Sequence, residues 1–314
     1  MPSIVTVGEL LVEIMRTETD VTFSEPGEFV GPFPSGAPAI FVDAAARLGG
    51  DTGIVGAVGE DGFGRCITDR LRRDGVDIAR VLTVARPSTG VAFVTYFSDG
   101  SREFIYHMEN AAAGTVEPDD VPPEYIADAD TLHINGSSLL MGSPMREACY
   151  EAIRVATERD LTVSFDPNVR AELLDGETLG AVIDPILNAA DLVVPTETEL
   201  EALAPSDATD AESRARALLD RGASTVAIKR GASGCTIVTT DSVVSHPGFE
   251  VDPEDPTGAG DAFSAGIVVG TLERQSTEEL AAFANAAGAR ATTAVGPMEG
   301  LADRERVDSM VSGR

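Results

Sequence analysis

Between Asp130 and Lys229 the sequence alternates short apolar runs with longer ones of helical length, and this alternation constrains the fold more than any other feature. Thr131–Asn135, Leu161–Asp166, Asp191–Val194 and Thr225–Lys229 have the length and content of strands. Pro144–Arg159, Leu179–Ala190 and Ala211–Arg221 separate them with helix-length stretches. A connection that carries a helix is what joins parallel strands, whereas antiparallel neighbours need only a tight turn. The pattern predicts an α/β chain with a doubly wound, mostly parallel sheet and helices on both faces. In such sheets ligands bind beyond the carboxyl ends of the strands. Polar residues gather at three of those ends, in Asp166–Arg170, Pro195–Glu199 and Lys229–Gly234. Each alone could be a capped loop; three in succession mark a binding rim.

Asp255–Gly266, reading Asp-Pro-Thr-Gly-Ala-Gly-Asp-Ala-Phe-Ser-Ala-Gly, is a glycine-rich turn that opens into an apolar helix through Leu272. Gly258 and Gly260 permit a tight turn with bare N–H groups, and a helix N-terminus adds unpaired donors and partial positive charge. Together these make an anion site. Asp261 stands in the first turn, where a carboxylate would repel a bound phosphate. Either the glycines merely shape a turn and Asp261 favours the helix start, or Asp261 takes a proton from a hydroxyl that attacks the phosphate. A dinucleotide fingerprint is excluded, because Phe263 stands where the third glycine is required. A Walker A loop is excluded too: the one lysine of the chain, Lys229, follows Ile228.

The Asp255–Gly266 stretch closely resembles the C-terminal signature of the ribokinase-like (PfkB) carbohydrate kinases, and the likeness extends over nearly the whole chain. It implies one domain, residues 1–314, with a small β-sheet lid formed by insertions near 12–33 and 88–110. It implies ATP and Mg²⁺ as cofactors and admits a monovalent cation such as K⁺. Asp261 would be the catalytic base, and the amides of Gly258, Ala259 and Gly260 the anion hole. Lys229, Gly231, Gly234 and Thr257 would border the phosphates, and Asn285 and Gly288 the adenine. Glu199 would help hold Mg²⁺ through water; Thr196 stands where the family carries asparagine. Pro34–Ala39 resembles the small-residue turn that leads into a sugar-binding helix, placing Gly36 and Ala37 at the sugar, with Ile40 in place of a common asparagine. Asp43 reads as a surface carboxylate or a polar substitute for that asparagine. Glu13 follows the first strand, where these enzymes place an acidic residue on sugar hydroxyls. Gly56–Gly64 matches the family's first signature, with glycines that serve close packing.

Gly90–Ser98 and Glu103–Met108, joined by Asp99-Gly100, read as a hairpin. Alternation puts Arg102, Phe104, Tyr106 and Met108 on one face, and the resemblance makes this hairpin part of the lid, whose other face would form a homodimer. Tyr106 and Arg170 match two of the groups that relatives acting on 2-keto-3-deoxygluconate use. That sugar acid is the first expectation, a ketohexose of the fructose or tagatose type the alternative, and a nucleoside less favoured. A nicotinamide-dependent oxidoreductase and a silent sugar sensor are the readings from other classes; the missing fingerprint and the Asp261 turn speak against them.

Composition bounds the partners. The 314 residues hold 52 Asp plus Glu against 23 Lys plus Arg, a net charge of −29. Such a surface repels nucleic acid and anionic membranes. The carboxylates are spread over the chain, a pattern expected of a protein working at very high salt, where screening removes self-repulsion. Cys66, Cys149 and Cys235 are widely spaced, which fits reduced thiols. With no signal-peptide pattern and no membrane-length apolar run, the expectation is a cytoplasmic enzyme. Ser276–Val295 reads as a helix with a small-residue face and Thr277 able to cap it.

Overall fold

The computed structural model describes residues 1–168, 178–205 and 207–313. Its first part runs β1 (Ile4–Val7), β2 (Leu11–Arg16), β3 (Phe29–Ser35), α1 (Ala37–Arg47), β4 (Thr52–Gly59), α2 (Gly62–Arg73) and β5 (Asp77–Val84). The hairpin β6 (Gly90–Tyr96) and β7 (Arg102–His107) comes next, then α3 (Pro123–Ala127), β8 (Thr131–Asn135), α4 (Ser143–Glu158) and β9 (Thr162–Asp166). The chain continues with α5 (Leu179–Leu187), β10 (Leu192–Val193), α6 (Glu197–Leu203), α7 (Ala211–Asp220) and β11 (Thr225–Lys229). It ends with β12 (Cys235–Thr239), β13 (Val243–His246), α8 (Ala259–Leu272), α9 (Thr277–Ala291) and α10 (Arg304–Ser312).

Among the described residues, nine strands form one sheet in the order β13-β12-β11-β10-β9-β8-β1-β4-β5. Pairing is parallel from β11 to β5 and antiparallel at β11–β12 and β12–β13. Successive side chains on a strand point to opposite faces, and the two cores follow from that. Ile4, Ile54 and Val58 pack with α1, α2, α8, α9 and α10. Val5, Val7, Val55 and Ala57 pack with α3 to α7. Strands buried on both faces read as near-continuous apolar runs, as residues 53–59 of β4 do.

The second sheet has the order β3-β2-β6-β7. Its strands lie within residues 11–35 and 90–107, with β2 parallel to β6 and β7 antiparallel to it. β2 begins at Leu11, and the preceding Glu9 turns its carboxylate to serine hydroxyls instead of joining a ladder.

Two other expectations are corrected. Asp43 is fully buried, and neither surface nor cavity holds it. It sits in α1 beside Arg70 of α2, whose guanidinium donates to Asp43 Oδ2 at 2.9 Å and to the Met298 carbonyl at 2.7 Å. A buried carboxylate persists where a cation and hydrogen bonds meet it. The cap of α9 is Ser276, not Thr277: its hydroxyl accepts from the Glu279 N–H while Glu279 Oε2 accepts from the Ser276 N–H.

Candidate active site

The site lies beyond the carboxyl ends of β1, β8, β9, β10 and β11, closed on one side by the N-terminus of α8. Gly258 caps that helix with φ 81°, a left-handed conformation. A Cβ there would lie 2.3 Å from the Pro297 carbonyl oxygen, so only glycine lets the chain turn here. Among the described residues no side chain caps the helix start, whose Ala259 N–H makes only a 3.4 Å bond to the Pro256 carbonyl, and Asp261 in its first turn is 7% exposed. The side-chain amides of Asn168 and Asn135 approach Asp261 Oδ1 at 3.2 and 3.5 Å. A carboxylate is thus held beside an uncapped helix start by donors from two strand ends.

Asp166, at the end of β9, accepts from Lys229 Nζ at 2.8 and 2.7 Å and from Ser264 Oγ at 2.7 Å. This fastens β9, β11 and α8 together. Burial works against the Lys229 charge, but Asp166, Glu199 and Asp261 outweigh it and hold its pKa above the ordinary lysine value. Lys229 is therefore an interior cation, not a strand-end lysine in solvent.

At one end of the cleft stand two buried carboxylates. Glu13 is 3% exposed and accepts from Ser35 Oγ at 2.8 Å. Glu9 is 2% exposed and accepts from Ser137 and Ser138 at 2.7 and 2.6 Å. Gly36, with φ 105°, passes so close to the Glu9 carbonyl that a Cβ would sit 2.5 Å from it. The lid covers this end: Arg102, Phe104, Tyr106 and Met108 all line the cavity, as alternation predicts, with Phe104 stacked on Tyr106. Tyr96 of β6 donates to Asp255 at 2.9 Å, and Arg102 lies 3.4 Å from the Thr257 hydroxyl. The lid therefore touches the loop before α8.

At the other end, Thr196 caps α6 and Glu199 returns the bond to the Thr196 N–H at 2.7 Å. The Gly231–Gly234 turn, the loop through Pro253, Asn285 and Gly288 of α9, and Thr292 just past its end complete the wall. Gly288 also packs against α8, where a Cβ would lie 3.1 Å from the Ala259 carbonyl.

Glu13, Gly36, Ala37, Tyr106, Glu199, Lys229, Gly231, Gly234, Thr257, Gly258, Ala259, Gly260, Asp261, Asn285 and Gly288 thus line one cavity of about 920 Å³. Arg170 lies outside the described residues. Sequence reasoning missed Glu9, Ser137 and the role of Asn168 and Tyr96. The strand-end rule could have found Glu9, two residues past β1; Ser137 follows β8 by the same rule. Tyr96 carries no such signal.

Among the described residues no group of three His, Cys, Asp or Glu could hold a metal ion by itself. Glu199 on the cavity wall fits Mg²⁺ arriving with a nucleotide, since this ion takes one or two carboxylates plus phosphate oxygens and water. Glu199, with one oxygen engaged in the cap, suits a contact through water.

A sheet of this topology, with an amide-rich helix start facing a carboxylate, defines a phosphotransferase that acts on an alcohol. Residues 1–304 match the family model described as pfkB family carbohydrate kinase. Fructokinase-2 of Oryza sativa subsp. japonica is 34% identical over 306 residues, covering 95% of this chain and 90% of that protein. The E. coli protein crystallised with ATP and Mg²⁺ under the name ribokinase II superposes with a TM-score of 0.93, 35% identity and full coverage of both chains. A Vibrio cholerae fructokinase double mutant, bound to fructose, ADP and potassium, gives a TM-score of 0.83 at 26% identity, with 98% of each chain covered. The chain belongs to the pfkB family of carbohydrate kinases and has the ribokinase-like fold; it is an ATP-dependent sugar kinase. No helix among the described residues is long and apolar enough to cross a membrane.

Proposed function

We propose that this kinase transfers the γ-phosphoryl group of ATP to a hydroxyl of a neutral ketohexose of the fructose type. The observation that carries the reading is the pairing of Asp261 with the Gly258–Gly260 amides at one point of the cleft, with Glu9 and Glu13 beyond it. Asp261 takes the proton of the acceptor hydroxyl; that oxygen bonds to the γ-phosphorus as the bond to the β-phosphate oxygen breaks and ADP leaves. The three amides donate to charge that grows on the transferring group. Mg²⁺, when bound with ATP through water on Glu199, neutralises phosphate charge. Lys229, Gly231, Gly234, Thr257, Asn285 and Gly288 border the nucleotide; Glu13, Gly36, Ala37 and Tyr106 border the sugar. The chain 1–314 works as one domain under its lid.

A neutral sugar replaces the sugar acid as the first reading. Buried carboxylates at the sugar end welcome hydroxyl donors and repel a carboxylate ligand. Among the described lining residues, Lys229 is engaged by Asp166, Arg230 by Glu197, and Arg102 reaches Thr257 instead of the Glu9–Glu13 end. The fructokinases among the relatives point the same way. The test is a coupled ADP-release assay over fructose, tagatose, 2-keto-3-deoxygluconate and nucleosides, with Mg²⁺, with and without K⁺, at molar salt. Fructose or tagatose should give the highest kcat/KM; a sugar acid preferred by about tenfold or more would overturn the choice.

Three further features belong to the reading. The enzyme is cytoplasmic. It works at high salt, which its charge of −29 supports. It forms a homodimer through the lid sheet, whose two edge strands expose Ile105 on β7 and Phe29 and Val30 on β3.

A further inference from the structure

Asn168 stands two residues beyond β9 in a left-handed backbone conformation, φ 37°. Asparagine tolerates that region better than most side chains, yet it still adopts it only where the surroundings impose it. Here they do: its backbone N–H donates to Asp166 Oδ1 at 3.2 Å, and Asp166 is pinned by Lys229 and Ser264. The conformation turns the side chain into the cleft, where Nδ2 donates to Asp261 Oδ1 at 3.2 Å. The other end of the same amide is different. Asn168 is 9% exposed, and among the described residues its Oδ1 has no hydrogen-bond partner. Buried carbonyl oxygens seldom go without a donor, and those that do are explained by a ligand, an ion or a water. Asn168 lines the cavity together with Glu9, Glu13 and Ser137, so the missing donor comes from the cleft side.

We propose that Asn168 orients both reaction partners: its amide N–H holds the Asp261 carboxylate, and its carbonyl oxygen accepts a hydrogen bond from a second hydroxyl of the sugar whose first hydroxyl Asp261 deprotonates. This rests on the sugar-kinase reading and deepens it. One planar amide fixes the angle between base and acceptor, so a sugar lacking the second hydroxyl binds with that oxygen unpaired and is rejected.

The experiment uses the full chain with Asn168→Asp and Asn168→Gly, the glycine variant being unstrained at positive φ. The readouts are kcat and KM for the sugar that turns over best, the pH profile, ATP affinity by titration, and a series of its monodeoxy analogues. Asn168→Asp replaces a donor with a carboxylate next to Asp261. Like charges resist joint ionisation, so the acid limb of kcat/KM should move up by about one pH unit. Asn168→Gly should raise the sugar KM and lower kcat, each by about tenfold or more, with ATP affinity within about twofold of wild type. One monodeoxy analogue that wild type discriminates against should lose that penalty in Asn168→Gly, which a purely structural role would not produce. The inference is overturned by unchanged sugar KM and acid limb, or by equal losses on every analogue. A wild type that releases ADP with no sugar overturns instead the kinase reading beneath it.

Discussion

Lys229 and Asp166 bury opposite charges at the floor of the cleft, and neither is there without the other. Removing one partner of such a pair strands the other in a medium that cannot solvate it, which costs about 3–5 kcal/mol. Lys229→Met should therefore lower the unfolding free energy by about that amount, read by urea melts in constant salt. The double variant with Asp166→Asn should recover most of the loss. An unchanged midpoint for the single variant would mean that the lysine is held for the nucleotide alone. The sequence could place this lysine at a strand end, because β11 is a continuous apolar run. It could not show that Asp166, 63 residues earlier, would meet it, since that pairing exists only once β9 and β11 lie either side of β10.

The elements α1 and α2 are joined by a buried charge cluster in which Arg70 contacts Asp43, Asp74 and Glu299. Burial raises the Asp43 pKa to about 7, against the pull of Arg70 and with the help of Asp74. An unfolded chain releases that proton near about pH 4. Between the two values the folded protein keeps a proton that the unfolded chain has lost, so this group's contribution to stability falls as pH rises and is gone above about 7. Asp43→Asn cannot ionise: its melting temperature should fall less than that of wild type between about pH 5 and about pH 8. Parallel curves would contradict the assignment. None of this was legible in the sequence, where neither Arg70 nor Asp43 carries a local sign that the two are buried together. The lid hairpin was legible, because period-two alternation and an Asp-Gly turn are local signals. The antiparallel edge β12–β13 and the strand β5 were not, since polar residues interrupt their partly exposed faces, and β12–β13 has no crossover helix to announce it.

For the whole molecule the governing quantity is the charge of −29. Self-repulsion of this size opposes compaction, and at about 1 M salt it is screened beyond about 3 Å. The melting temperature should rise between dilute buffer and about 2 M KCl; a flat or falling curve would remove salt adaptation from the account. The doubly wound sheet and the α8 turn were readable at this scale because each is a repeated or contiguous pattern. The cavity had to be assembled from stretches far apart in the chain, and only packing sets Tyr96 of the lid against Asp255 in the loop before α8. The central claim is that Asp261 removes the proton of the attacking hydroxyl, and the most direct measurement is kcat of Asp261→Asn against wild type on the best sugar. The account predicts a loss of at least about a hundredfold with ATP affinity retained; turnover within a few-fold of wild type would contradict it.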